Sequence, residues 1–227
     1  MLNETSHKVK LSIIIPTLNE EDGIKKVLRR CSKLVFNKEI IIVDSGSTDR
    51  TVEIAKKYGS RIIIEKRKGY GRAYRTGFKY AKGEFIATMD GDGSYDPRDI
   101  SKLFKILKNR KNVFISGDRF KNLKKESMPF INRFGNRLIS WTSNLFFDTD
   151  IKDSQSGMWI FHRDLLKKFR LKEDGMSFSS EIKLEAYNKS KFIEHPISYE
   201  VRSGKKKMNP FKQGRKILKF LLKRALF

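Results

Sequence analysis

The feature that most constrains the fold is an alternation running through the first half of the chain. "KLSIIIP" (10–16), "EIIIVD" (39–44), "RIIIEK" (61–66), "EFIATMD" (84–90) and "NVFISGD" (112–118) are short runs rich in β-branched residues. Between them the apolar spacing predicts helices: from about Glu21 to Leu34, after a cap at Ser47 or Thr48, from Gly71 to Ala81, and after Pro97. Continuously apolar strands alternating with amphipathic helices imply an α/β fold, a mostly parallel sheet with helices on both faces. Such sheets bind ligands at the carboxyl ends of their strands. The polar residues sit there: Asn19 and Glu20, then Asp44, then Asp90 and Asp92, then Asp118 and Arg119.

The second half is less regular. Residues 130–147 read as a helix carrying arginines, 157–166 as a strand then a helix, 179–190 as a helix and 192–201 as a strand. Neither an internal repeat nor a long linker breaks the pattern. The expected organisation is one catalytic domain over residues 1–208 and a basic amphipathic helix over 209–227.

Charge narrows the partners. Fifty Lys and Arg against 26 Asp and Glu give a net charge of +24, which suits a polyanionic partner such as nucleic acid, anionic lipid or a phosphorylated substrate. A lysine-rich solvated surface, as in heat-adapted proteins, accounts for part of it. A nucleic-acid binder would carry a recognition signature, and no RNA-recognition aromatic set, zinc set or convincing helix-turn-helix is present. One cysteine, Cys31, excludes an internal disulfide. "MLNETSHKVK" lacks the apolar core of a signal peptide, and no run of about 18 apolar residues exists, so the chain reads as cytosolic.

Against this basic background, "MDGDGSYDP" (89–97) places Asp90, Asp92 and Asp96 close together. Residues i and i+2 at a strand end point the same way, so Asp90 and Asp92 can converge on one hard cation, Mg²⁺ or Mn²⁺. A calcium loop would need Gly and Glu where Tyr95 and Ser101 stand. A phosphatase with an aspartyl nucleophile usually has its D-x-D after the first strand. Asp96 reads as the cap of the helix begun by Pro97.

"IIIPTLNEE", "IIIVDSGSTDRT" and "MDGDGS", in this order and each at a strand end, resemble the family 2 glycosyltransferases, whose nucleotide-sugar fold is called GT-A. The resemblance implies a metal-dependent, inverting hexosyltransferase. Pro16, Thr17, Asn19 and Glu20 would border the nucleotide, and Asp44 the base or ribose. Asp90 and Asp92 would hold the metal, with Asp92 catalytic. Lys68 and Arg72, in a segment similar to the family's "N-x-G-x-G-x-A", would reach the diphosphate. Two departures stand out. Ser45 replaces the second acidic residue of the second motif, and Ser94 stands where a related branch has a Gln metal ligand.

"GDRF" (117–120), "INRFGNRLISWTSNLF" (131–146), "DSQSGMWIFHRDLL" (153–166) and "PISYEVRSGKKKMNPF" (196–211) resemble elements of the polyprenyl-phosphate sugar synthases. That implies an acceptor site for the lipid phosphate at Arg119, Arg202 and Lys207, joined by Arg133, Arg137 and Ser140. Arg119 and Arg202 would serve catalysis, with Asp153 and Glu181 orienting the arginines. A phosphate monoester is already ionised near neutrality and needs no dedicated base, whereas a saccharide or lipid hydroxyl, the alternative acceptor, does. The resemblance implies a GDP- or UDP-linked sugar as donor. In the tail, Lys212, Arg215, Lys216, Lys219 and Lys223 fall on one helical face, and Phe211, Ile217, Leu218, Leu221, Leu222 and Ala225 on the other. This is the pattern of a helix lying on the anionic cytosolic face of a membrane, or of one docking its stripe on the domain. A separate membrane-protein partner is compatible with either.

Overall fold

A computed structural model of the protein describes residues 9–107, 110–204 and 209–226; Lys207 lies outside them. Seven strands form one sheet: β1 (Leu11–Thr17), β2 (Lys38–Asp44), β3 (Arg61–Ile64), β4 (Phe85–Thr88), β5 (Val113–Asp118), β6 (Trp159–His162) and β7 (Lys191–Pro196), in the order β3-β2-β1-β4-β6-β5-β7. All neighbours are parallel except β6, which runs antiparallel to both β4 and β5.

The helices are α1 (Glu21–Ser32), α2 (Thr51–Lys57), α3 (Tyr70–Tyr80), α4 (Pro97–Leu107), α5 (Phe130–Phe147), α6 (Phe178–Lys189) and α7 (Pro210–Leu226). They cover both faces because successive residues of each strand point opposite ways. Ile13 and Ile15 of β1 pack with Ile24, Val27 and Leu103 of α1 and α4. Ile14, between them, packs with Tyr74 and Phe78 of α3 and Phe178 of α6. Full burial of each such side chain contributes about 1.5–3 kcal/mol. A smaller core joins Ile139 of α5 and Leu184 of α6 to Ile217 and Leu221 of α7.

The expected α/β architecture is present, with local corrections. The helix expected after β6 is a short 3-10 turn over 163–167, begun by the Asp164 N–H donating to His162 Nδ1 at 3.2 Å. The N-cap of helix α2 is Arg50, not Ser47 or Thr48, and no side chain caps it; just before it, Asp49 Oδ1 accepts from Thr51 N–H at 3.0 Å. The strand expected over 192–201 stops at Pro196. Beyond it the chain crosses the Asp92 loop, with Glu200 N–H on Ser94 O at 2.7 Å and Ser203 N–H on Asp92 O at 2.8 Å.

Candidate active site

The carboxyl ends of β1 and β2 form one wall. Asn19 takes a left-handed conformation, φ 52°, so its side chain folds back and Oδ1 accepts from Thr48 N–H at 2.7 Å. Glu20 N–H donates to Thr51 Oγ1 at 2.7 Å. Asp44 is buried, and its carboxylate accepts from Thr17 Oγ1 at 3.0 Å, Gly46 N–H at 3.0 Å, Ser47 N–H at 2.8 Å and the Ser47 hydroxyl. Asp44 therefore fixes the 45–48 turn, with Thr17 beneath it and Pro16 next in the strand.

Asp90 and Asp92 follow β4 and face the same end of the sheet. Asp90 Oδ1 accepts from the Tyr70 hydroxyl at 3.1 Å, and the Tyr74 hydroxyl stands 3.5 Å away. Asp92 Oδ1 accepts from Ser94 N–H at 3.0 Å and Ser94 Oγ at 2.6 Å. Burial, reinforced by the Asp92 charge, pushes the Asp90 carboxyl up to about 7. The same burial, with Asp90 beside them, holds the Tyr70 and Tyr74 phenols well above their ordinary range, so both remain donors. Arg202 lies 3.2 Å from Glu20 and 3.8 Å, through Nε, from Asp92 Oδ2. Two carboxylates that repel each other, with an arginine drawn against them, have the donor set a divalent cation needs. Among the described residues no group of three or more His, Cys, Asp or Glu side chains is placed to hold a metal. The chain thus offers two carboxylates, the number usual where substrate phosphates complete a Mg²⁺ shell.

The half expected from sequence to take the acceptor is built on a buried pair. Arg119 donates through Nε and Nη2 to Asp153 at 2.7 and 2.8 Å. Its guanidinium lies over the Tyr199 ring at 5.1 Å, and Tyr199 meets Tyr95 edge-on at 5.3 Å. The Tyr95 hydroxyl accepts from Gly157 N–H at 2.7 Å. The loop 153–157 is held from beneath by the buried Trp159, whose Nε1–H donates to Ser156 O at 2.7 Å. Ser140 of α5 binds Ser154, accepting its N–H at 3.0 Å. Buried Lys183 donates to Asp153 O, and burial pulls its ammonium down to about 8. Asp153 thus fixes the position of the Arg119 guanidinium.

Other expected residues sit differently. Glu181 does not orient an arginine: its carboxylate accepts from Lys172 N–H at 2.9 Å and Glu173 N–H at 3.0 Å, pinning the loop before α6. Arg72 pairs with Asp174 at 2.7 Å. Lys68 is exposed and lines a cleft of about 680 Å³ with Tyr70, the 173–177 loop, and Lys216 and Lys219 of α7. Arg137 stacks on Phe120 at 5.7 Å, while Arg133 Nε is buried without a partner. Sequence reasoning missed Tyr70, Tyr95, Tyr199 and Lys183. "KGYG", "GSYDP" and "PISYEV" place all three of these tyrosines inside the motifs.

Residues 12–170 match Glycosyl transferase family 2. The chain is 34% identical over 221 residues to the low-salt glycan biosynthesis hexosyltransferase Agl6 of Haloferax volcanii, covering 95% of this chain and 54% of that protein. It therefore spans about half the length of that relative. To the dolichyl-phosphate hexose transferase of the same organism it is 31% identical over 219 residues, covering 95% of this chain and 94% of the relative. The dolichol-phosphate mannosyltransferase of Pyrococcus furiosus is 29% identical, over 94% of this chain and 62% of its own. Among solved structures, glucosyl-3-phosphoglycerate synthase from Mycobacterium tuberculosis, in complex with Mn²⁺, uridine diphosphate and phosphoglyceric acid, superposes with a TM-score of 0.75. That match has 19% identity and covers 95% of this chain and 78% of the other. It shows a shared GT-A fold.

Proposed function

The chain belongs to Glycosyl transferase family 2, and from that premise we propose that it transfers a hexose from a nucleotide diphosphate to a polyprenyl phosphate with inversion. The observation that carries this reading is the position of Arg202. A phosphate-binding fork lies 3.8 Å from Asp92, so the anion-binding and cation-binding halves meet at one point. Asp90 and Asp92 would hold Mg²⁺ or Mn²⁺, which when bound stabilises the departing nucleotide diphosphate. The 17–20 and 44–48 turns would border a GDP- or UDP-linked donor, with Asp44 fixing the wall and Lys68 at its margin. Arg119 and Arg202 would hold the acceptor phosphate in line with the anomeric carbon, joined by Lys207 and by Arg133 and Arg137 of α5. A phosphate oxygen forms the new bond to that carbon as the diphosphate leaves, and no proton has to be removed.

The membrane seat, in this reading, is α5. Only part of the α7 stripe docks on the domain: Ile217 and Leu221 are buried against Ile139 and Leu184, while Phe211, Leu222 and Ala225 stay exposed. Helix α5 instead exposes Phe130, Phe134, Trp141 and Leu145 on one face, with Trp141 62% exposed. Such a face, flanked by the lysines of α7, suits an anionic lipid surface. Among the described residues no helix is long and apolar enough to cross a membrane. The enzyme would work peripherally on the cytosolic face, residues 1–208 catalysing and the 209–227 helix bracing the seat.

The test is transfer of labelled sugar from GDP-mannose, UDP-glucose and UDP-N-acetylglucosamine, with Mn²⁺ or with chelator, to polyprenyl phosphate and to sugar acceptors. Metal-dependent product on the lipid phosphate is expected. Product only on a hydroxyl acceptor would overturn the reading.

A further inference from the structure

The two aspartates present their oxygens asymmetrically. On Asp90, Oδ1 accepts from the Tyr70 hydroxyl at 3.1 Å. On Asp92, Oδ1 accepts twice from Ser94, at 3.0 and 2.6 Å. No hydrogen bond among the described residues reaches Oδ2 of either, and Arg202 stands 3.8 Å from Oδ2 of Asp92. Each carboxylate thus has one oxygen bound to a protein donor and one left over.

The donors are held in place. Tyr70 meets Tyr74 edge-on at 4.9 Å. Its hydroxyl is roofed by Gly157: a side-chain carbon there would lie 2.4 Å from that oxygen and 3.1 Å from Asp90 Oδ1. Ser94 is fully buried, and its carbonyl is bound by Glu200 N–H at 2.7 Å. Tyr70 thus lies close against the Gly157 backbone, and the main chain that carries Ser94 is fixed by Glu200.

We infer that Tyr70 and Ser94 set the cation selectivity of this site by making Asp90 and Asp92 one-oxygen ligands. The inference rests on the reading of these aspartates as the metal-binding pair. Small cations that demand near-octahedral geometry take one oxygen from each carboxylate, whereas Ca²⁺ accepts more ligands and commonly takes both oxygens of a carboxylate. A phenol on one aspartate and a serine on the other block the two-oxygen mode. Ser94, which a family comparison would read as a lost ligand, thereby gains a positioning role, and Tyr70 supplies its counterpart.

The test uses the full chain with saturating UDP, and separately with GDP. Mn²⁺ binding is followed by loss of the free aquo-ion signal in electron paramagnetic resonance, and Ca²⁺ is the competitor. The wild-type chain should release Mn²⁺ only at a large excess of Ca²⁺. Tyr70→Phe and Ser94→Ala should lower that excess roughly tenfold, the scale of one charge-assisted hydrogen bond. Ser94→Thr, which keeps the hydroxyl, should retain the wild-type ratio. Melting temperatures report that the variants are folded. An unchanged Ca²⁺/Mn²⁺ ratio, or parallel weakening of both cations, overturns the inference. Full Mn²⁺ binding by Asp92→Asn would instead remove the premise.

Discussion

Asp90 and Asp92 share a charge problem, and that makes the residue scale testable. Asp92→Asn should abolish metal binding and transfer, yet leave the melting temperature unchanged or higher, because it relieves the repulsion that helps hold Asp90 near 7. Calorimetry and a transfer assay check both. The two arginines should separate. Arg119 is buried on Asp153, so Arg119→Ala strands a carboxylate and should cost about 3–5 kcal/mol in urea unfolding. Arg202 is partly exposed, and Arg202→Ala should cost at most about 1 kcal/mol. Both should raise the KM for polyprenyl phosphate far more than that for the donor. Asp90, Asp92 and Arg119 were legible because motif spacing places them just after strands β4 and β5, whereas Arg202 lies six residues beyond the end of β7 and was legible only through its motif. Tyr70 and Lys183 were not, since their partners, Gly157 and the Asp153 carbonyl, are distant in sequence.

Helix α5 works on two faces at once. One carries the exposed Phe130, Phe134, Trp141 and Leu145; the other holds Ser140 against Ser154 of the 153–157 loop at 3.1 Å. Replacing Trp141 and Leu145 with Ser should weaken binding to anionic vesicles at every salt concentration without lowering the melting temperature. Leu221→Ala should do the reverse first, costing about 2–5 kcal/mol by opening a cavity between α7 and α5. Flotation with liposomes and denaturant titration separate these outcomes. The amphipathic pattern of α7 was readable, but a pattern does not name the surface it meets. In the same way β6 was readable as a strand, while its antiparallel direction was not: side-chain alternation is identical for a strand read either way.

For the whole molecule, stability against pH has limbs set by buried groups. Hydrogen bonds from Arg67, then Thr76, hold Glu65 down to about 2, so its contribution is complete above pH 4.5 and is lost as pH falls from 4.5 to 2. Burial lowers Lys183 to about 8 against 10.5, so between pH 8 and 10 the unfolded chain holds more protons and stability rises. Above pH 10 the trend reverses, because the buried tyrosines ionise readily only when unfolded. Urea midpoints across pH should show this rise, and Lys183→Met should remove it. The place of β6 between β4 and β5 has a consequence for birth at the ribosome. The β3-β2-β1-β4 half can assemble once residue 88 has emerged. The next strand made, β5, has no neighbour to join until β6 arrives from residue 159 onward. For that interval the nascent chain carries an open β4 edge and an orphan strand, the surfaces that chaperones shield. A released fragment ending near residue 130 should therefore resist protease over the first half and remain sensitive at 113–118.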